Sequence, residues 1–440
     1  MTLHQLTLSG MLAAIEARQC EAIDIVESCL DRIAALEPAV GAWAHLEERA
    51  EWLARWRHDE SRYRQLPCKG LPLGVKDTID VAGMKAERGS AIWTGRVAAE
   101  DAACVARLRA AGLHVAGKTV TTEFAYFSPG KTANPHHLQH TPGGSSSGSA
   151  AAVAAAMVPV ALGSQTAASV IRPASYCGVA GYVASVGMFS LRGVMPLAGS
   201  FDALGVLARS VEDLQRVHYG LCGEPFNVAQ QPQGPTTLLA IDGRAFGDIE
   251  PAMLNAFESA LQQLAARGIR IVRPGNREFG ASWPRLHQRL MACEAAQTLA
   301  FEWAASREAM SAPLRDLINE GGNTSFNDWS ELHAQSEAAR VELEALRGGC
   351  DAIIAPAAPG PAPAGLGATG APFASRPWQL FGLPQVTLPL TRDTHGLPLG
   401  IQVVGRTRGD RALLELACWL EREMGWRHAP PVDSDFSARG

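Results

Sequence analysis

Two serine-bearing loops and one lysine in an apolar run are the residues of this chain best suited to chemistry. Ser145 lies in Gly143–Gly144–Ser145–Ser146–Ser147–Gly148–Ser149, and Ser169 ends Ser164–Gln165–Thr166–Ala167–Ala168–Ser169. Glycine lacks a Cβ and accepts positive φ, so the first loop can bring its backbone against a neighbour. A serine hydroxyl attacks a carbonyl when a base takes its proton and N–H donors meet the developing oxyanion. Lysine can stand in for histidine as that base. Lys76 follows Leu71–Pro72–Leu73–Gly74–Val75, an apolar run that predicts a strand carrying Lys76 inward among Leu73, Val75 and Ile79. Desolvation lowers the proton affinity of a lysine and allows a neutral amine. Asp77 would oppose this at close range, but adjacent strand residues point to opposite faces. The plainer reading of such a lysine is an amine that snorkels to solvent.

The segment between the serines sets their separation. Ser149 to Met157 is Ala-rich and predicts a helix, Pro159 stops it, and Val158 to Leu162 predicts a short buried strand. Helices are also predicted over 9–18, over 21–36 with Pro38 as the stop, over 42–56, over 100–111 and over 252–267. Strands are predicted over 114–117, 237–241, 269–272 and 351–355, and the runs 385–390 and 399–404 predict a hairpin. Residues 281–348 look helical, 356–377 form a loop rich in Pro, Gly and Ala, and 411–424 form a last helix. Alternating helices and strands predict an α/β layered fold with helices covering a buried sheet. No repeat or clean linker divides the sequence, so 1–440 reads as one domain.

Bulk properties narrow the function classes. Of 440 residues 47% are hydrophobic and 19% charged, as in ordinary globular proteins. A net charge of −5 carries no basic footprint for nucleic acid or anionic membrane. The longest weakly charged apolar run, 150–162, falls short of the roughly 20 residues that span a bilayer. The first ten residues show no basic segment before an apolar core, so no secretory signal is expected. Nine scattered cysteines without a Cys-x-x-Cys pair speak against a disulfide framework or a Cys-based zinc site, and suit the cytoplasm.

Gly74–Val75–Lys76–Asp77, the loop 143–149 and the stretch 164–175, in that order, resemble the amidase signature family, most strictly over about 66–208. Arg192–Gly193–Val194, Ser200–Phe201–Asp202 and Gly382–Leu383–Pro384 continue the likeness. The resemblance implies a large mixed β-sheet sandwiched between layers of helices, with a variable, mostly helical region over about 225–350. It implies Ser169 as the acylated nucleophile, Ser145 as a bridging serine held by a cis peptide, and Lys76 as the terminal base. The oxyanion hole would be the backbone N–H groups of Thr166, Ala167, Ala168 and Ser169, with no cofactor and no metal. The implied reaction is hydrolysis of a carboxamide through an acyl-enzyme, with carbamates (urethanase chemistry), esters and anilides in reach.

Ala167–Ala168 stands where the family often has two glycines, and Gln165 where it often has Asp, as in the malonamidase and aryl-acylamidase-like branch. The resemblance places Thr122, Phe124, Tyr126 and Phe127 beside the substrate, and Trp378 and Phe381 could line the acyl side. Arg172 has two readings: a fork for a substrate carboxylate, or a brace for its loop, the second being preferred. The alternative within the family is a glutamine-dependent amidotransferase A-type subunit that supplies ammonia to a partner. Thr121–Thr122, where that subfamily resembles Met-Asp, speaks against it. The expected partners are a small amide or carbamate, no nucleic acid and no membrane, with a homodimer as a possible assembly. Ser146, in a literal G-x-S-x-G with His395 and Asp351 downstream, lacks the preceding strand of a nucleophile elbow. His136, His137 and His140 read as polar loop residues rather than metal ligands.

Overall fold

The apolar runs pair into one sheet of eleven strands, seen in a computed structural model that describes residues 2–226, 234–276, 278–426 and 428. Of the variable region, 227–233 and 277 therefore lie outside the described residues. The strands are β1 (Trp43–Leu46), β2 (Pro72–Lys76), β3 (His114–Thr119), β4 (Val160–Gln165), β5 (Ala180–Val183) and β6 (Ala203–Ala208). They continue as β7 (Thr237–Ala240), β8 (Arg270–Val272), β9 (Ala352–Pro356), β10 (Gln385–Arg392) and β11 (Pro398–Val404). Their spatial order is β1-β3-β2-β4-β6-β5-β10-β11-β9-β7-β8. The sheet is mixed: β2 runs parallel to β3 and β4, whereas β6 is antiparallel to both β4 and β5. The expected hairpin is the antiparallel pair β10–β11.

A strand's side chains alternate between faces, and both faces here are apolar because helices cover both. Leu73, Val75, Leu162, Val386 and Ile401 meet Val105, Leu214, Leu264 and Leu420 from helices on one side. Ala161, Val183 and Leu207 meet the Ala-rich helix Ser147–Ala154 on the other, and Leu239 and Ile353 meet the helices of 283–347. This is the mixed α/β architecture that the resemblance implies. Among the described residues no helix is long and apolar enough to cross a membrane.

Three local expectations fail for tertiary reasons. The predicted helix over 42–56 begins as β1, antiparallel to β3 at the sheet edge, with the helix confined to Arg49–His58. Trp43 is buried against the Ala-rich helix, so ladder pairing and burial outweigh the helical spacing of its neighbours. Pro38 does not stop its helix, which runs over Ala22–Val40 and ends on Gly41 at φ +62°. Lys76 does not share the face of Leu73 and Val75. Alternation sends it to the opposite face, toward the helix Ser147–Ala154.

That helix is buried along its whole length. Its first turn sits directly on the edge of the sheet, where Gly148 N–H donates to the Val120 carbonyl at 3.0 Å. A Cβ on Gly148 would lie 2.1 Å from the Ala42 carbonyl oxygen and 2.4 Å from the Val120 nitrogen. Both obstacles are backbone and cannot rotate away. Gly148→Ala is expected to destabilise the chain by at least about 1–3 kcal/mol, the usual range for overpacking. Urea unfolding checks this through a lowered midpoint at unchanged slope.

Candidate active site

β2 ends in Lys76, which is fully buried. Its Nζ lies 2.7 Å from Ser145 Oγ, 3.0 Å from Ser164 Oγ and 3.2 Å from the Ser164 carbonyl. Burial lowers the pKa of the amine to about 7, and the charge of Asp202 works weakly against this. Asp77 is kept away: its carboxylate is on the other side of the strand, 3.1 Å from Lys118 Nζ. A neutral amine has two N–H donors and one lone pair. The Ser164 carbonyl and hydroxyl take both donors, which leaves the lone pair facing the Ser145 hydroxyl.

The Gly144–Ser145 peptide is cis. Ser145 and Ser169 line the same cleft, and the two loops are joined where Ser146 N–H donates to the Ser169 carbonyl at 3.1 Å. Among the described residues the N–H groups of Ala167, Ala168 and Ser169 have no acceptor. Neither Ala167 nor Ala168 has positive φ, so alanine costs nothing in backbone strain there, and both residues line the cleft. Ser146 is fully buried under the loop, its hydroxyl against the Ser164 carbonyl at 3.4 Å.

Three side chains hold the 166–169 turn from different directions. Gln165 Oε1 accepts the Val170 and Ile171 N–H groups at 2.9 and 3.1 Å. Its amide NH₂ donates to Gln379 and Gln385 at 2.9 and 3.2 Å, so all its hydrogen-bonding capacity is used. Thr166 Oγ1 donates to Asp202 at 2.5 Å, and the other Asp202 oxygen accepts the Leu197 and Ala198 N–H groups. Burial raises the Asp202 carboxyl to about 6. From the helix Trp283–Thr298, His287 Nε2 lies 2.8 Å from the Thr166 carbonyl. A carbonyl only accepts, so Nε2 carries the proton, and burial holds the ring neutral with a pKa of about 3.

The remaining expected residues divide. Thr122, Tyr126, Phe127 and Arg172 line the cleft with the two serines. Arg172 donates to the carbonyls of Gly370 and Gly144 at 2.6 and 2.7 Å and to Thr369 Oγ1 at 3.1 Å, the contacts of a brace. Phe124, Trp378 and Phe381 do not line it. All three are buried in the core between the sheet and the helical region, where aromatic bulk fills space, and this corrects their expected place beside the substrate. Among the residues that line or support the site without having been expected there are Met291, Arg376, His287 and Asp202. Asp202 belongs to the Ser200–Phe201–Asp202 stretch of the resemblance; nothing in the sequence distinguishes Met291, Arg376 or His287.

Gln165→Leu would leave two buried N–H groups unpaired beside Ser169. A loss of about 1–3 kcal/mol per orphaned group is expected. Calorimetric unfolding together with the rate at which a fluorophosphonate labels the chain checks this: stability and labelling should fall together.

A family model described as "Amidase" matches residues 24–414. The A-type subunit of the glutamyl-tRNA(Gln) amidotransferase of Symbiobacterium thermophilum is 31% identical, covering 99% of this chain and 99% of that protein. A solved amidase is 29% identical with a TM-score of 0.84, over 95% of this chain and 100% of that one. The peptide amidase of Stenotrophomonas maltophilia is 25% identical with a TM-score of 0.80, covering 98% and 99%. The curated relatives that carry the amidotransferase name favour that alternative over the amidase reading. They also overturn the expectation that a small amide or carbamate, with at most a second copy of the chain, exhausts the partners. Net charge and composition are blind to such a surface, because a protein interface is about as apolar as the surface around it. An ordered set of motifs, a mixed sheet that presents them in one cleft, and a match across nearly the whole length agree: this chain belongs to the amidase family, the amidase signature enzymes.

Proposed function

We propose that the chain, acting as one amidase domain over 1–440, cleaves a carboxamide C–N bond through an acyl-enzyme on Ser169. The observation that carries this reading is the buried Lys76 amine 2.7 Å from Ser145 Oγ, in the cleft that Ser169 shares. Ser169 Oγ attacks the carbonyl carbon, its proton passes to Ser145, and the Ser145 proton passes to Lys76. The N–H groups of Thr166, Ala167, Ala168 and Ser169 would hold the oxyanion; that those of Ala167, Ala168 and Ser169 have no acceptor among the described residues supports this. Collapse of the adduct breaks the C–N bond, and the relay run backward returns the proton to the leaving nitrogen. Water then repeats the cycle on the ester, releasing the acid and restoring the Ser169 hydroxyl.

The curated relatives support glutamine as the amide donor, with its ammonia passed to a partner protein. A second reading, release of ammonia or an amine to water, is favoured by the cleft itself. Among the described residues its lining includes no carboxylate to pair with the α-ammonium of glutamine, and Thr122 lines it. Gln165 and the nearby Arg172 support the malonamidase and aryl-acylamidase-like branch for that reading. The scattered thiols, free at all nine positions, support a cytoplasmic setting.

The relay needs the neutral amine, and a pKa of about 7 sets its sign. Below pH 7 Lys76 is protonated and cannot accept, so kcat/KM should fall about tenfold per pH unit; above about pH 8 it should level off. Lys76→Met should lower kcat on the order of 10²–10⁴ without a matching rise in KM. Ammonia release from glutamine and from valeramide, each against Ser169→Ala, separates the two readings. Turnover of valeramide with glutamine untouched would remove the amidotransferase reading, and a fully active Ser169→Ala would remove both.

A further inference from the structure

Arg376 opens the short helix Arg376–Leu380 and lines the cleft beside Ser145 and Ser169. Among the described residues no carboxylate lies within ion-pair distance of it. One of its Nη atoms donates to Gln288 Oε1. Gln288 in turn donates to Glu320 at 3.2 Å and reaches the Tyr126 hydroxyl at 3.5 Å, so an amide stands between the cation and the nearest acid. The Nε–H of Arg376 is buried with no acceptor.

Arg172, the second guanidinium of the cleft, differs in how many of its donors are used. Its Nε–H is likewise buried with no acceptor, but both its Nη atoms are committed to the carbonyls of Gly144 and Gly370 and to Thr369, whereas Arg376 commits only one. Burial lowers the Arg172 pKa to about 10, the charge of Arg376 adds to that fall, and among the described residues the lining offers no carboxylate to offset the two cations. A desolvated guanidinium with unused donors in a substrate cleft is an anion site in waiting. Planar bidentate contact with a carboxylate satisfies it best.

We infer that Arg376, rather than Arg172, holds a carboxylate on the acyl portion of the substrate, so the preferred amides are ω-amides of dicarboxylic acids. This deepens the proposed amide cleavage and rests on it for the reaction, but binding of the acid itself does not require catalysis. Gln288 presents Arg376 by taking one Nη and leaves Nε and the other Nη for the ligand. Glutamine, the reading from the relatives, carries the same carboxylate, and its α-ammonium meets no acid in the lining.

Binding and turnover test this separately. Malonate, succinate and glutarate are titrated calorimetrically into the full chain, into Arg376→Gln and into Arg376→Lys, because the three lengths cover a range of spans between Arg376 and Ser169. The expected result is that at least one diacid binds the unaltered chain, that Arg376→Gln weakens it on the order of 10–100-fold, the scale of a charge-assisted pair, and that Arg376→Lys retains part of it. In kinetics, the matching monoamide should exceed the neutral amide of equal length in kcat/KM. Arg376→Gln should erase that preference chiefly through KM. No diacid binding, or equal binding by Arg376→Gln, overturns the inference even if amides are cleaved. Undiminished diacid binding after Arg172→Gln is further support, whereas its loss there alone reassigns the carboxylate to Arg172 and overturns the claim. Diacid binding that depends on Arg376 in a chain that cleaves no amide would leave the anion site standing and remove the proposed reaction instead.

Discussion

An amine kept uncharged inside protein is the condition on which this site depends. Moving a charged ammonium out of water is costly enough that a buried lysine without a partner sheds its proton. Lys76 is fully buried, and its pKa falls to about 7. Strand alternation removes the acid that would otherwise restore the charge, because Asp77 faces the other way and is paired with Lys118. Asp202 is the remaining anion nearby, and its own burial lifts it to about 6. Both groups therefore change charge around neutrality, and the lysine is poised where a small shift in environment changes its role.

The scaffold around this amine is built from small residues. The helix Ser147–Ala154 is buried throughout and carries no side chain larger than valine. Its closeness to the sheet, enforced at Gly148, brings the Ser145 loop down onto the end of β2. The Ser169 turn is fixed by longer-range ties. Gln165 reaches Gln379 and Gln385 from the far part of the sequence, and His287 reaches in from the variable helices. Those helices thus touch the signature core at the turn carrying Ser169, whose residues line the cleft.

Legibility in the sequence followed the physics of each element. The motifs around Lys76, Ser145 and Ser169 could be read because they need special residue types: glycines for close backbone, serines for hydroxyls, a lysine where an apolar residue would be ordinary. The strands β2, β4, β10 and β11 were visible as apolar β-branched runs. β1 was not, since Trp43 and Leu46 fit a helical stripe as well as an edge strand, and only pairing with β3 decides between them. Trp378 and Phe124 could not be told from cleft residues, because aromatic bulk serves a core and a substrate pocket alike. His287 belongs to the site only through Thr166, 121 positions away, and Arg376 only because the fold brings it into the cleft beside Ser145 and Ser169, separations that no local pattern encodes. That relatives of this chain are subunits of an amidotransferase left no trace in its charge or composition, and came into view only through the comparison with them.

The proton affinity of the buried amine can be read without turnover. In a Ser169→Ala chain labelled with ¹³C at lysine Cε, the resonance that disappears in Lys76→Met should titrate apart from those of the exposed lysines, with a midpoint of about 7. A Lys76 resonance that titrates with the surface lysines, near the ordinary value of about 10.4, would mean an amine charged at neutral pH and no base for the relay.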